Sequence, residues 1–212
     1  MFYDPRENLH PKPLTHNPFN ALVAPRPIGW ISSMSLSGEV NLAPFSYFNG
    51  ISSDPPMVMF APNAKDREGT PKDTFRNIQE VPEFVVNVAS EELAAAMNQT
   101  SAALPFGISE MEAAGLPAAD SINVSPPRVA AARASLECRV YRTIELPTGS
   151  QGRQSHVVLG EVVGVHIDDA LIAGGMVDQL ALRQVARLGY SHYLSVESIF
   201  DMRRPSISAE NA

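Results

Sequence analysis

The residues best suited to chemistry fall in two short stretches. The first runs from Trp30 to Asn49 and sets Ser32, Ser33, Asn41, Ser46 and Asn49 beside Trp30, Phe45 and Phe48. A core strand accumulates such polar groups only when their hydrogen bonds are used, because each unpaired buried polar group costs about 1–3 kcal/mol. A flat ligand with an apolar face and an edge of alternating donors and acceptors, such as an isoalloxazine ring, would use them. Backbone groups of an irregular Ala43-Pro44-Phe45-Ser46 stretch could meet its edge. Composition alone also describes a serine-rich surface loop with buried aromatics, and ordinary loop statistics favour that simpler reading.

The second stretch is Pro71-Lys72-Asp73-Thr74-Phe75-Arg76-Asn77-Ile78, a helix-start pattern with Asp73 or Thr74 available as the cap. Amides at a helix start favour an anion, and the Lys72 ammonium and Thr74 hydroxyl would add a charge and a donor. A phosphate monoester could bind there without a glycine-rich loop. The Asp73 carboxylate would repel a dianion at contact distance, so it is expected to cap the helix or pair with a cation. Taken alone, the stretch is better read as an ordinary capped surface helix.

Other chemistry is scarce. There is no G-x-G-x-x-G, no phosphate loop ending in G-K-[ST], no H-E-x-x-H and no G-x-S-x-G. His10, His16, His156, His166 and His192 lack the spacing with carboxylates that would set metal ligands on one helix face, so no metal site is expected. Cys138 lies on the apolar side of a strand pattern and reads as a small buried thiol. No catalytic acid, base or nucleophile is assigned, and His156 and His192 are expected to serve packing or hydrogen bonding.

The elements that must position these residues are mostly strands. Eighteen prolines break the chain into short pieces. From Ser135 to Leu146, the side chains of Leu136, Cys138, Val140, Ile144 and Leu146 share one face and Glu137, Arg139, Tyr141, Thr143 and Glu145 the other, with Arg142 as the one break. A turn cluster at Pro147, Thr148, Gly149, Ser150 and Gly152 leads to the apolar run Val157 to Ile167, the second arm of a hairpin. Earlier strands are predicted at Ile28 to Ser33, Val40 to Ala43, Met57 to Ala61 and Phe84 to Val88. Helices are predicted after Ser90, after Ser109 with a capping box to Glu112 and a stop at Gly115, and between Gly175 and Gly189. The expected fold is mainly β with short helices, a closed or partly closed barrel.

The bulk numbers narrow the function. A chain of 212 residues with 44% hydrophobic content can bury one substantial core. Sixteen basic against twenty-three acidic residues, a formal charge of -7, opposes binding to nucleic acid or anionic lipid. No apolar run reads as a signal peptide or bilayer span, so a soluble cytoplasmic protein is expected. One cysteine excludes an internal disulfide and a multi-cysteine iron–sulfur site.

With both stretches in view, the sequence resembles the flavin reductase-like, FMN-binding split-barrel family. That family carries an R-P-x-x-x-x-[ST] strand, an N-x-A-P-F-S-x-F segment, a D-P-P turn and a K-D-T-x-x-N-I element in this order. They occur here as Arg26-Pro27 to Ser33, Asn41 to Phe48, Asp54-Pro55-Pro56 and Lys72 to Ile78. Phe84 to Val88, Leu136 to Cys138 and Arg187 to Tyr193 extend the likeness over roughly residues 20 to 200. Residues 1–19 are then an N-terminal extension and 201–212 a C-terminal tail, of which Ser206 to Ala212 is polar.

The resemblance implies a Greek-key split β-barrel, usually a homodimer with flavin near the subunit interface. It implies FMN as cofactor, with FAD as an alternative, and NADH or NADPH as co-substrate. Trp30, Ser32 and Ser33 look like flavin contacts from the first strand, although Trp30 equally suits a core position. Asn41, Ala43, Phe45 and Ser46 look like groups around the ring and ribityl chain, Lys72 and Thr74 like phosphate contacts, and Tyr193 like a further cofactor contact. The implied activity is an NAD(P)H-dependent flavin reductase, with a monooxygenase or another electron-acceptor protein as its implied partner. A flavoredoxin-like electron carrier and a non-catalytic flavin-binding protein are the alternatives. The 63–69 insertion and the Thr100 to Pro126 excursion have no assigned chemistry beyond shaping access to a flavin or covering the barrel.

Overall fold

The computed structural model describes residues 1–7, 10–63, 70–105, 107–149 and 154–205. The predicted tail from Ser206, most of the 63–69 insertion, and the Ser150 and Gly152 part of the hairpin turn lie outside these residues. The strands are β1 (Arg26–Pro27), β2 (Gly29–Met34), β3 (Val40–Phe45), β4 (Phe48–Ser53), β5 (Pro56–Phe60), β6 (Glu83–Val88), β7 (Ala118–Ala119), β8 (Arg128–Val129), β9 (Ala134–Glu145), β10 (His156–Ile167), β11 (Ile172–Ala173), β12 (Met176–Val177), β13 (Val185–Arg187) and β14 (Tyr193–Ser195). The helices are α1 (Phe19–Leu22), α2 (Asp73–Glu80), α3 (Ala94–Gln99), α4 (Glu110–Ala113) and α5 (Gln179–Leu182).

Seven strands form one antiparallel sheet in the order β3-β2-β6-β9-β10-β5-β4. A smaller sheet, β1-β13-β14, follows from β1 leading directly into β2. Strand alternation sends neighbouring residues of β2 to opposite sides of the sheet. Ile31 packs with Phe45, Val58, Phe60, Ile78, Phe84, Val86, Cys138 and Val158 on one side. Trp30 packs with Ile28, Leu42, Met97, Met111, Val129 and Val185 on the other. Both faces of β2 are covered, which is why its run of Gly29 to Ser33 is buried throughout despite two serines.

The β9–β10 hairpin carries two register shifts. At the first, Leu159 pairs with Arg142 and Gly160 with Val140, so Tyr141 is the extra residue. This bulge is the physical form of the break in alternation seen at Arg142 in the sequence. Gly160 sits against the Phe84 ring, where an added Cβ would come within 2.4 Å of Phe84 Cζ. Only a glycine admits the close approach of strand and ring.

Two expectations are corrected. The Gly175 to Gly189 stretch is not one helix but β12, the single turn α5 and β13. Asp178 caps α5 by accepting from Ala181 N at 2.9 Å, and Arg183 then adopts φ 47, ending the helix after one turn. Val185 N bonds to Ala89 O instead, drawing the chain into β13. The polar face predicted for Glu137 is also buried: its carboxylate is fully enclosed beneath the 120–126 segment. By contrast, the Ser109 cap forms, with Glu112 N donating to Ser109 Oγ at 3.4 Å and Gly115 at φ +66 closing the turn. β4 was not anticipated, because its exposed Asn49-Gly50-Ile51-Ser52-Ser53 lacks strand composition and is held by pairing with β5.

Candidate functional site

Three pieces of chain meet at one cleft of about 200 Å³. β3 contributes Asn41, Ala43 and Pro44, the start of α2 contributes Lys72, Asp73 and Thr74, and the segment after α3 contributes Thr100 to Leu104, with Glu110 of α4 at its wall. The two stretches singled out by residue type, 33 positions apart at Asn41 and Thr74, are in hydrogen-bond contact there.

α2 packs on β2 and β3 through its buried Thr74, Asn77 and Ile78. Asn77 Nδ2 donates to Ser33 Oγ at 3.2 Å, which fixes the helix start over the sheet. The residue at the cap position is Lys72, in extended conformation, and no side-chain cap bond forms there. The expected cap by Asp73 or Thr74 is therefore corrected: Asp73 is the first helical residue and Thr74 the second. The first amides of a helix have no intrahelical carbonyl partner, so this end carries partial positive charge toward the cleft. Lys72 Nζ lies 5.5 Å from the centroid of the Phe45 ring, which places an ammonium against the aromatic wall of β3.

The Asn41 side-chain amide lies 2.8 Å from Thr74 Oγ1. Its neighbours fix its orientation: the nitrogen donates to Glu110 Oε2 at 3.3 Å, while the oxygen accepts from Thr74 Oγ1 at 2.8 Å and from Leu42 N at 3.2 Å. Leu42 N also donates to Glu110 Oε2 at 3.1 Å. Glu110 is thus a buried carboxylate bound into β3 at the wall of the cleft.

The residues predicted around a flavin divide between the cleft and its supports. Asn41, Ala43, Lys72 and Thr74 line the cleft. Phe45 is buried beneath Lys72, and Ser46 is half-buried just beyond β3. Trp30, Ser32 and Ser33 are fully buried behind this surface. Trp30 Nε1 donates to Thr100 Oγ1 at 2.9 Å, Ser32 Oγ donates to Pro127 O at 2.6 Å, and Asn87 links Trp30 O, Ser32 Oγ, Val129 N and Ser135 Oγ. The polar groups of β2 are satisfied by the protein itself. Tyr193 stands elsewhere, with Arg187 stacked on its ring at 4.5 Å in a groove beside Ala94, Met97 and Asn98 of α3.

Sequence reasoning missed Thr100 to Leu104 and Glu110. The one available signal was the run Thr100-Ser101-Ala102-Ala103, whose small side chains suit a cleft wall. Glu110 looked like any acid in the first turn of a capped helix. Of the histidines, His156 stacks on Phe75 with centroids 4.3 Å apart, and His166 Nε2 lies 2.5 Å from Glu137 Oε1. Burial pushes the Cys138 thiol up, so it stays protonated and inert. Among the described residues, no helix is long and apolar enough to cross a membrane.

The donor set fits a phosphate-bearing group with a polyol chain. A lysine and a helix start suit a phosphate, and an amide and a hydroxyl suit alcohols. The cleft is smaller than the usual range for a whole cofactor, roughly 300–1,000 Å³.

The molecule is thus a mainly β barrel of seven antiparallel strands with a polar cleft beside its edge strand β3. The chain belongs to the flavin reductase-like family: residues 22–181 match the model described as a flavin reductase like domain. An uncharacterised protein of Halalkalibacterium halodurans is 41% identical over 188 residues, covering 88% of each chain. The crystal structure of nitrilotriacetate monooxygenase component B from Bacillus cereus superposes with a TM-score of 0.82 at 31% identity, over 92% of this chain and 98% of that one. A split-barrel-domain protein from Shewanella frigidimarina superposes with a TM-score of 0.77 at 23% identity, over 88% and 90%. The fold is that of the split barrels.

Proposed function

We propose that this protein binds FMN non-covalently and oxidises NADH or NADPH as a flavin reductase. The observation that carries this reading is the cleft in which Asn41, Ala43, Lys72 and Thr74 converge. Lys72 and the start of α2 hold the phosphate, and Asn41 and the backbone of β3 face the ribityl chain and the ring. Bound flavin would supply the redox chemistry, accepting hydride from a reduced nicotinamide stacked on it. The protein's share is binding and orientation, so no side-chain acid or base is needed. FAD shares the same phosphate and ribityl end and is a weaker candidate.

The small volume of the cleft favours completion of the site by a second copy of the chain, in a homodimer. Exposed apolar side chains on β9 and β10, among them Tyr141, Ile144, Val165 and Ile167, supply surface for that contact. The likeness to a monooxygenase component favours a monooxygenase as recipient of reduced flavin. We place the protein in the cytoplasm, where nicotinamide nucleotides are available.

The test is the visible spectrum of protein with FMN, recorded anaerobically before and after NADH and then NADPH. Catalytic bleaching by either nucleotide is the expected result and names the donor. A bound spectrum that neither bleaches would replace the reductase with an electron carrier or a non-catalytic binding protein.

A further inference from the structure

A second groove, of about 550 Å³, lies beside α3. Ala94, Ala95 and the buried Met97 give it apolar walls, and Arg187 and Tyr193 of the β13–β14 hairpin close its other side. The Arg187 guanidinium lies over the Tyr193 ring and donates to the Tyr193 hydroxyl and to Tyr190 O. Tyr190 is held at φ 59, a conformation that costs a bulky residue energy. These bonds leave part of the five-donor fork unused, and among the described residues no carboxylate pairs with Arg187. The groove is an apolar slot with a cation fixed in it.

The chain carries a matching piece. Beyond β14, residues 197–205 form neither helix nor strand and are exposed throughout. Ile199, Phe200 and Met202 are 58%, 84% and 83% exposed, and grouped apolar side chains of this kind mark a contact surface. Asp201 stands between the last two, and among the described residues no cation pairs with it. This arm runs away from its own groove. Arg187 pairs with Tyr193 at one end of the hairpin, whereas Ser195 pairs with Val185 at the other. From there Val196 N bonds to Gln184 O, and Glu197 passes 3.8 Å from Arg183. Extended chain advances about 3.3–3.6 Å per residue, so the arm has the length to cross onto a neighbouring molecule.

We propose that the 197–205 arm of one copy seats in the α3 groove of a second copy, with Asp201 on Arg187 and the flanking Phe200 and Met202 against the apolar walls. The exchange is reciprocal, as a two-fold pair requires. Arg203 and Arg204 then fall toward Glu92, which is exposed two residues before Ala94, and Ser198 falls toward Asn98 at the other end of the helix. The seated arm covers α3, which leads directly into the Thr100 to Leu104 wall of the cleft. This contact stands whether or not the cleft takes a flavin.

The experiment pairs Asn98→Cys with Ser198→Cys in the full chain, both at exposed positions, and treats the protein with a short bismaleimide before denaturing electrophoresis. The native Cys138 is buried and does not compete. Covalently joined pairs of chains are expected from the double variant and none from either single variant. Adding Asp201→Arg should lower the joined fraction by about tenfold near the association midpoint, and adding Arg187→Asp to that should restore it. A link formed within one chain, no link at all, or a yield indifferent to Asp201→Arg would overturn the proposal. Asp201 is exposed and outside every element, so its reversal decides the matter even where Arg187→Asp does not fold.

Discussion

Trp30 Nε1 donates to Thr100 Oγ1 at 2.9 Å, and the same hydroxyl donates to Met97 O at 2.8 Å. One buried indole in β2 thereby anchors the segment that forms the far wall of the cleft. Thr100→Val leaves the indole N–H without a partner in the core. We expect a loss of about 1–3 kcal/mol in stability, read from the denaturant midpoint, together with weaker FMN binding as the 100–104 wall loosens. Unchanged stability would show that the wall is held by packing alone.

Lys72 and Thr74 test the phosphate site directly. Replacing both with alanine removes the half-buried Lys72 ammonium and the buried Thr74 hydroxyl at the start of α2 while leaving the apolar clusters of the barrel intact, so the fold should survive with an unaltered circular dichroism spectrum. FMN affinity should fall by about ten- to a hundredfold, as expected for losing charge-assisted hydrogen bonds worth about 1.5–3 kcal/mol. Riboflavin binding should change far less. Equal losses for both ligands would move the phosphate away from α2.

The contact of Gly160 with Phe84 tests the packing of the barrel interior. A methyl group at 160 would meet the ring at 2.4 and 2.7 Å, so either the ring or the β9–β10 bulge must shift. Gly160→Ala is expected to cost about 1–3 kcal/mol, measured by thermal or denaturant unfolding.

Glu137 gives a pH dependence of stability. Burial opposes ionisation of its carboxyl, but His166 at 2.5 Å and the amides of Ile122 and Asn123 outweigh that cost and hold it below the ordinary glutamate range. A depressed folded value means that its contribution is complete above the unfolded value, about 4.3, and is lost as pH falls through the folded one. Wild type should therefore be more stable than Glu137→Gln at pH 7, and the difference should shrink as the pH falls below about 4. A difference that stayed constant through this range would refute the ionised pairing.

The fold class was legible in the sequence because strand alternation is a local property. β9 lies where apolar residues alternate, β10 where they run almost unbroken, and β2, β3, β5 and β6 within a residue or two of the other predicted strands. The Ser109 cap was equally local, and its half of the capping box forms, with Glu112 N donating to Ser109 Oγ. The stretch from Gly175 to Gly189 failed for the converse reason. Its spacing suits a helix, but the pairing of β13 with β1 and β14 offers backbone bonds that only the folded chain can supply.

The chemistry divides in the same way. Residue type marked Asn41, the Ala43 to Ser46 backbone, Lys72 and Thr74 as candidates, but taken alone both stretches read better as a surface loop and a capped helix, and the family resemblance is what joined them into a site. Whether Ser32 and Ser33 face a ligand or the interior depends on which side of β2 is covered, and tertiary packing buried both against Pro127, Asn77 and Asn87. Glu110 carries no local mark at all. Its place in the cleft follows from α4 packing on β3, a contact between residues 68 positions apart. The sequence by itself determined the strands and the donor groups, which depend on spacing and residue type. Only the tertiary structure decided which of those groups share a cavity and which way their hydrogen bonds run, because a hydrogen-bond direction is a property of all its partners at once.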